Sequence, residues 1–466
     1  MLAGLAACIG GSGCRGAGTT TLAGDVEGAP PANAIPVRQP AFPLRLSANR
    51  RYLVDSQNRP FLIVGDSPQA LVVRLSVDEA TRFIANRALA GFNTIWVNLL
   101  SNDYTGGVPS GRTFDGIPPF KQEGRLSTPN EAYFARAEAM IRSAAEHGTA
   151  VLLDPIETGG WLDTLRANGP YRAYAFGRWL GARYKSLPNI VWMSGNDFQS
   201  WRDPGDDALA LAVARGIRDG DPGHLQTVEL DFHGLTSSSS DDARWKNLIS
   251  LDAAYTFLPT YVQIAKAYRR RPRLPVFMVE ASYEGEHDYV GPSTLRRQEY
   301  WTLLSGATGQ LYGNRYTWQF VDGWTTHLDT VGSRQMTYVT NLFAPIRWYD
   351  LVPDVHHRLV ISGYGTYRTT GTVQDSNYVT AARTEDGKLA IAYVPAGQTI
   401  RVDMTKLTGR IRARWYDPST GKYRKASRSL LRSAGKRSFA PPRANGDGDP
   451  DWVLVLQRAA TSAAAS

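Results

Sequence analysis

Cysteine is nearly absent from this 466-residue chain: two occur, Cys8 and Cys14, ahead of any segment able to fold. The foldable body therefore carries no disulfide and no thiolate metal site. The seven histidines are scattered, with no HxxxH or HxH pair, which argues against a metal centre. No later apolar run reaches the roughly 18 residues needed to span a bilayer. No Gly-rich phosphate loop opens a helix after a strand-like run, so a nucleotide-binding fingerprint is lacking. Neither a metal nor an organic cofactor is expected. Charged residues make up 20% of the chain, and the net charge of +9 is spread along it, carried heavily by arginine. No basic run is dense enough for a nucleic-acid arm. A solvated basic surface is the expectation, with an acidic polysaccharide a permissible partner.

What is present points to a soluble globular enzyme, at 42% hydrophobic residues. The length suits a large barrel with a smaller module attached. Aromatics reach 11%, with 12 Trp and 22 Tyr; most belong in a core, but their faces are also what sugar rings stack on. The N-terminus ends an apolar stretch on Leu5-Ala6-Ala7-Cys8, which resembles a bacterial lipobox with Cys8 as the lipidated residue. Only seven residues precede Cys8, so the pattern reads as a truncated signal or as a chance match. Residues 1–40 are expected to be that signal and a disordered Gly/Ala/Thr/Pro-rich tether. An exported protein follows, periplasmic or held at the cell surface of a bacterium by a lipid anchor.

Beyond the tether, strand-like and helix-like runs alternate. A short hairpin over "LRLSANRRYLVDSQNRPFLIVGD" leads into the first strand. Ser76 and Glu79 form a capping-box pattern that opens a helix, stopped by Gly91. The runs "FNTIWVNL", "TAVLLDPIE", "NIVWMSGNDF", "LQTVEL", "LDAAYTF", "LPVFMVE" and "GATGQLYG" complete eight strands, with helical patterns between most of them. Such alternation predicts a (β/α)8 barrel over residues 41–353. A doubly wound open sheet is the alternative, disfavoured by the missing phosphate loop. From Asp354 the pattern shifts to short alternating runs separated by turn signals such as Asp386-Gly387 and Pro418-Ser419-Thr420-Gly421. This predicts an antiparallel β-sandwich over 354–458, followed by a tail over 459–466. The basic stretch "GKYRKASRSLLRSAGKR" within it reads as a solvated hairpin.

In such a barrel the C-terminal strand ends share one pocket. The residues at those ends are Asp66, Asn98, Asp154 with Glu157, Asn196 with Asp197, Asp231 with His233, Tyr255, Glu280 and Tyr312. A single strand-end Asp is usually a helix cap, but capping is a poor explanation for a whole ring of polar groups. Asp197 ends the fourth strand and Glu280 the seventh, which nearly face each other across the barrel mouth. A carboxylic acid and a carboxylate flanking one bond are what glycoside hydrolysis requires: one protonates the leaving oxygen, and the other attacks the anomeric carbon or activates water. Glu284 is a rival to Glu280, and Asp154 and Glu157 are rivals for the acid. Trp161, in "TGGW", is a sugar platform or a packed loop aromatic. Tyr255 either hydrogen-bonds Glu280 or sits in the core. His233 is a candidate sugar-hydroxyl contact. Tyr312, Trp318 and Trp324 are candidates for the wall of the site, with core packing claiming at least one of them.

The runs "FLIVGDSPQAL", "RALAGFNTIWVNL", "RYKSLPNIVWMSGND", "PVFMVEASYE" and "RWYDLVPD" together resemble the apiosidase-like glycoside hydrolase family, from about Pro43 to Leu456. Such proteins pair Asn with Asp on the fourth strand, where the wider clan has Asn-Glu. Strand one departs from expectation, with Ser67-Pro68-Gln69 where an aromatic was anticipated. The resemblance implies a retaining glycosidase with Asp197 as acid/base and Glu280 as nucleophile. It implies a plant cell-wall glycan as substrate, with an apioside of a pectic side chain as the first choice and another furanoside or pyranoside as the alternative. Substrate contacts are assigned to Asp66, Asp154, Trp161, Asn196, His233, Tyr255, Glu284, Tyr312 and Trp318. A monomer with no nucleic-acid partner is expected. A non-catalytic carbohydrate-binding lipoprotein is the remaining alternative. The resemblance also implies a C-terminal sandwich of a type labelled as collagen-binding, for which covering one side of the barrel is the simpler role.

Overall fold

A computed structural model describes residues 39–231 and 235–460. Eight strands form a barrel: β1 (Ile63–Asp66), β2 (Thr94–Asn98), β3 (Ala150–Asp154), β4 (Ile190–Phe198), β5 (Gln226–Leu230), β6 (Asp252–Thr256), β7 (Val276–Glu280) and β8 (Gly309–Tyr312). Neighbours pair in parallel from β1 through β5, from β6 through β8, and from β8 back to β1. Parallel strands need crossovers, and α-helices supply most of them. The helix Val77–Leu89 carries the expected capping box: Glu79 N donates to Ser76 Oγ (3.2 Å), and Ser76 N donates to Glu79 Oε2 (2.9 Å).

Between β5 and β6 the described residues make no α-helix, only two 3₁₀ turns, Ser239–Asp241 and Ala243–Trp245. A short strand, Thr236–Ser238, returns antiparallel along β6, and β5 and β6 do not pair directly. Hydroxyls close this seam. Ser237 Oγ donates to Leu230 O (2.6 Å), Ser239 Oγ to Val228 O (2.6 Å) and Thr227 Oγ1 to Leu251 O (3.0 Å). The buried backbone is satisfied by side chains where a ladder would otherwise run.

The barrel interior is filled by Ile63, Trp96, Leu152, Val191, Met193, Phe277, Val279 and Leu311. Leu44, Leu53 and Phe61 of the N-terminal hairpin join this cluster and plug the end where the strands begin. That leaves the C-terminal strand ends as the open mouth.

The C-terminal region packs a sheet containing Thr380–Thr384, Leu389–Val394, Trp452–Arg458 and Arg410–Tyr416 against a three-stranded sheet of Val360–Ser362, Ile400–Asp403 and Lys436–Phe439. The molecule is thus a (β/α)8 barrel followed by an antiparallel β-sandwich. Leu351–Pro353 already pairs with Thr380–Thr384. The two parts share a core: Tyr300, Trp301 and Phe343 of the barrel helices pack with Tyr393, Tyr416 and Val453 of the sandwich. Arg296, fully buried, joins them through ion pairs to Asp447, Asp449 and Asp451. Among the described residues no helix is long and apolar enough to cross a membrane.

Candidate active site

Strand β4 explains how a buried run ends on an amide and a carboxylate. Ile190 to Met193 are buried in the sheet. The register against β5 then slips between Ser194 and Phe198, and three consecutive residues take positive φ: Gly195 (122°), Asn196 (62°) and Asp197 (57°). Such backbone is rare for non-glycine residues, and Asn and Asp tolerate it best. A Cβ on residue 195 would lie 2.1 Å from Glu229 O, so only glycine fits there. Side chains pin the bulge. Thr158 Oγ1 donates to Gly195 O (2.6 Å), and Asp197 N donates to Glu229 Oε2 (3.1 Å). Asn98 Nδ2 donates to Asn196 Oδ1 (3.0 Å), while Trp96 Nε1 donates to Asn98 Oδ1 (2.9 Å). The Asn196 amide is thereby fixed with its oxygen committed to Asn98, leaving its nitrogen as the donor for a ligand.

Asp197 and Glu280 meet at the mouth, both half-buried. Tyr255, buried at the end of β6 in register with Glu280, offsets part of the upward push that burial exerts on both carboxyls. Tyr104 donates to Asp197 Oδ2 (2.7 Å), and Tyr283 donates to Glu280 Oε2 (3.2 Å) while accepting from Gln69 Nε2 (3.1 Å). Burial pushes the Glu280 carboxyl well above its usual range, and the charges of Asp197 and Glu286 add to this. Asp197 is also raised, by burial foremost, with Tyr104 and Tyr255 pulling back and Asp231 pushing up. The pair therefore holds on to one proton where two isolated carboxyls would both be ionised.

Three more carboxyls lie below. Glu229 is fully buried, and its Oε1 has no partner. Burial, then the Glu280 and Asp197 charges, hold it well above the ordinary range. Asp154 is raised likewise by burial, with Ile156 N donating to its Oδ1 (3.0 Å). Glu157 is pushed up to about 8, chiefly by burial, and accepts from Asn102 N (3.0 Å). Neutral acids on the floor spare the pair above them from further repulsion. Among the described residues, no group of three or more His, Cys, Asp or Glu side chains is placed to hold a metal ion.

A family model described as apiosidase-like, catalytic domain, matches residues 47–350, more than half of the chain. The chain belongs to the apiosidase-like family. A second model, named for the collagen-binding domain of a collagenase, matches residues 369–457. Among solved structures, one glycoside hydrolase superposes with a TM-score of 0.77 at 22% identity, over 91% of this chain and 98% of that one. A glycoside hydrolase family 5 protein from Bacteroides vulgatus gives a TM-score of 0.76 at 23% identity, over 90% and 94%. At these identities the two structures speak to the fold. No curated protein sequence matches the chain. Family membership and fold together make the barrel a glycosidase catalytic domain.

Within this apiosidase-like barrel, Asn196, Asp197, Tyr255 and Glu280 converge. Trp318 is half-buried beside them, its ring edge-on to Tyr283 at 6.4 Å. Five residues expected to touch substrate are buried away from the mouth or engaged elsewhere. Asp66 is fully buried in an ion pair with Arg87 (2.6 Å). Asp154 lies under the site with no exposed surface. Trp161 stands in the first turn of the helix Thr158–Tyr184, not in a loop, and is buried against Phe120. Glu284 accepts hydrogen bonds from Tyr312, from Thr330 Oγ1 (2.6 Å) and from Gly332 N (2.9 Å). Both Glu284 and Tyr312 thus tie the loop after β7 to the segment after β8, which removes Glu284 as a rival nucleophile. Trp324 packs on Phe83 and Phe320. His233 and Cys8 lie outside the described residues.

The structure adds Tyr104, Glu229, Tyr283, Gln69 and Glu286, which sequence reasoning missed. A charged residue inside "LQTVEL" was a signal for Glu229, since a buried strand seldom carries an acid without purpose. The Gly159-Gly160 pair was a signal for Tyr104. A Cβ at 159 would lie 2.1 Å from the Tyr104 ring, so the glycines mark a close approach rather than a flexible loop.

Proposed function

We propose that this apiosidase-like enzyme hydrolyses glycosides with retention, using Asp197 as acid/base and Glu280 as nucleophile. The observation that carries this is the convergence of Asp197 and Glu280 at one barrel mouth, each held by a tyrosine: Tyr104 donates to Asp197 Oδ2 (2.7 Å) and Tyr283 to Glu280 Oε2 (3.2 Å). Retaining enzymes place their carboxyl groups about 5–5.5 Å apart, and inverting ones about 6.5–9.5 Å. The family resemblance favours the shorter range.

In the first step a Glu280 oxygen bonds to the anomeric carbon as the bond to the leaving oxygen breaks, and the Asp197 proton passes to that oxygen. The resulting ester removes the Glu280 charge, so the Asp197 carboxyl loses its proton more readily. Asp197 then takes a proton from a water whose oxygen attacks the anomeric carbon, and Glu280 leaves as carboxylate. Tyr255 and Tyr283 hold Glu280 for attack. The Asn196 amide nitrogen is placed to donate to a sugar hydroxyl beside the reacting carbon.

The family resemblance supports an apioside of a pectic, rhamnogalacturonan-type side chain as substrate. Another furanoside or pyranoside of a cell-wall glycan is the competing choice, and a panel of such polymers with analysis of the released sugar decides between them. Export and lipid anchoring at Cys8 belong to the same proposal, because a polymer substrate must be met outside the cell. A Cys8→Ala protein should be released from the membrane fraction.

Asp197→Ala and Glu280→Ala should each lower hydrolysis of natural glycosides by about 10²–10⁴-fold or more, with an unchanged melting curve. With an activated aryl glycoside, Asp197→Ala should recover turnover on addition of azide, which needs no base to attack the ester. A glycosyl azide of retained configuration supports the mechanism; one of inverted configuration sinks it.

A further inference from the structure

The end of the barrel opposite the catalytic carboxyls carries a cleft of about 570 Å³. Its walls come from segments that precede strands: Asn49–Tyr52 before β1, Tyr268–Arg273 before β7 and Leu303–Ala307 before β8. The sandwich closes it through residues around Glu385. Its volume is that of a small-molecule site. No step proposed above uses it.

One wall of the cleft is acidic: Arg347 is ion-paired with both Asp350 and Asp386, and Glu385 adds a further negative charge. The other wall is not. Arg51 is half-buried, its guanidinium carbon lies 3.8 Å from the Tyr268 ring centroid, and its Nη1 donates to Tyr268 O (2.6 Å). Among the described residues it forms no ion pair with a carboxylate, and the charges of Arg273 and Arg271 act against its own. Arg50 adds a further positive charge there, its Nε donating to Arg273 O (3.1 Å). Like charges thus converge on a half-buried Arg51, with Arg50 and Arg273 exposed beside it, an arrangement that an incoming anion relieves. Guanidinium groups recognise carboxylates by paired, parallel hydrogen bonds. The same cleft offers the rings of Tyr52 and Tyr349, tilted 44° with centroids 5.4 Å apart, and the polar side chain of Asn49. Flat aromatic faces suit the apolar face of a sugar ring.

We infer that this cleft is a second carbohydrate site, which takes a uronic-acid residue of an acidic glycan on Arg51 and Arg273. The inference rests on the proposed activity only in choosing a sugar acid over another carboxylate. Such a site holds the enzyme on a polymer while the opposite pole works on its branches.

The test is calorimetric titration of the full chain carrying Asp197→Ala with a short oligogalacturonate. A neutral oligosaccharide of equal length and a single-stranded oligonucleotide of equal charge serve as comparisons. The oligogalacturonate should bind, and adding Arg51→Ala or Arg273→Ala should weaken it about tenfold or more. Arg51→Lys, which keeps the charge but loses the fork, should fall between. In an otherwise wild-type background, these arginine variants should hydrolyse an aryl glycoside at the normal rate. Should Arg51→Ala fail to fold, the exposed Arg273 carries the test. The idea is overturned if the uronate oligomer does not bind, if the arginine variants bind it unchanged, or if the neutral sugar or the oligonucleotide binds equally well. Loss of hydrolysis in Glu280→Ala leaves these outcomes untouched, so the two proposals fail separately.

Discussion

Asp197 works from a backbone conformation that few side chains accept, and its chemistry depends on who donates to it. The Tyr104 hydroxyl, 2.7 Å from Oδ2, stabilises the ionised form and so lowers the pKa of this carboxyl against the upward push of burial. Removing that donor leaves the upward push unopposed, so the acid stays protonated to higher pH. Tyr104→Phe should therefore move the alkaline limb of the kcat/KM profile upward. Deglycosylation should slow as well, because the base form has lost its stabilising partner. A downward or unmoved limb would show that Tyr104 acts only as packing. At this scale the sequence showed part of the site. Asp197, Glu280 and Asn196 were legible because strand ends are recognisable. Tyr104 and Glu229 left only indirect signals, a Gly-Gly pair and an acid inside an apolar strand, because a loop and a register slip decide what they touch. Asp66 and Glu284 looked like site residues for the same reason that Asp197 did. Only their partners, Arg87 in one case and Tyr312, Thr330 and Gly332 in the other, distinguish them.

Elements were read more securely than residues, because apolar periodicity spans many positions and survives local error. All eight barrel strands fall on the apolar runs that predicted them. The misreadings have physical causes. "TGGW" looks like a loop because glycine is a poor helix former, yet it is the first turn of Thr158–Tyr184. Gly159 and Gly160 trade helix propensity for room, since Cβ atoms there would strike the Tyr104 ring and the Asn102 side chain. Gly159→Ala should thus raise intrinsic helix propensity while forcing Tyr104 off Asp197. The expected outcome is a loss of activity as large as that of Tyr104→Phe or larger, with far-UV circular dichroism unchanged. Normal activity in this variant would mean that Tyr104 does not need its seat on the helix. The connection from β5 to β6 was illegible for another reason: it has hydroxyl bonds instead of a helix, and hydroxyl bonds leave no periodicity.

At the scale of the whole molecule, the sandwich is joined to the barrel rather than appended to it. Tyr300 and Trp301 are almost entirely buried, in part by sandwich residues. Arg296 reaches across to three aspartates with no exposed surface of its own. Burial would penalise that charge, but the aspartates more than offset it and hold the guanidinium strongly ionised. Truncating Arg296 leaves the buried Asp451 without its cation, a loss of about 3–5 kcal/mol for a broken buried pair. Arg296→Ala should lower the melting temperature of barrel and sandwich together, in one transition. Two separated transitions would mean that the parts unfold independently.

The barrel wall is a ring with a clasp. Seven of its joins are backbone ladders, and the eighth, between β5 and β6, is stitched by serine and threonine side chains. Glu229 stands on one side of that clasp and Tyr255 on the other. Any breathing of the ring would begin where hydroxyls can swap partners without breaking a strand pair. Such an opening would pull the support of Asp197 away from Tyr255, the register partner of Glu280. Heat should therefore silence this enzyme before it unfolds it.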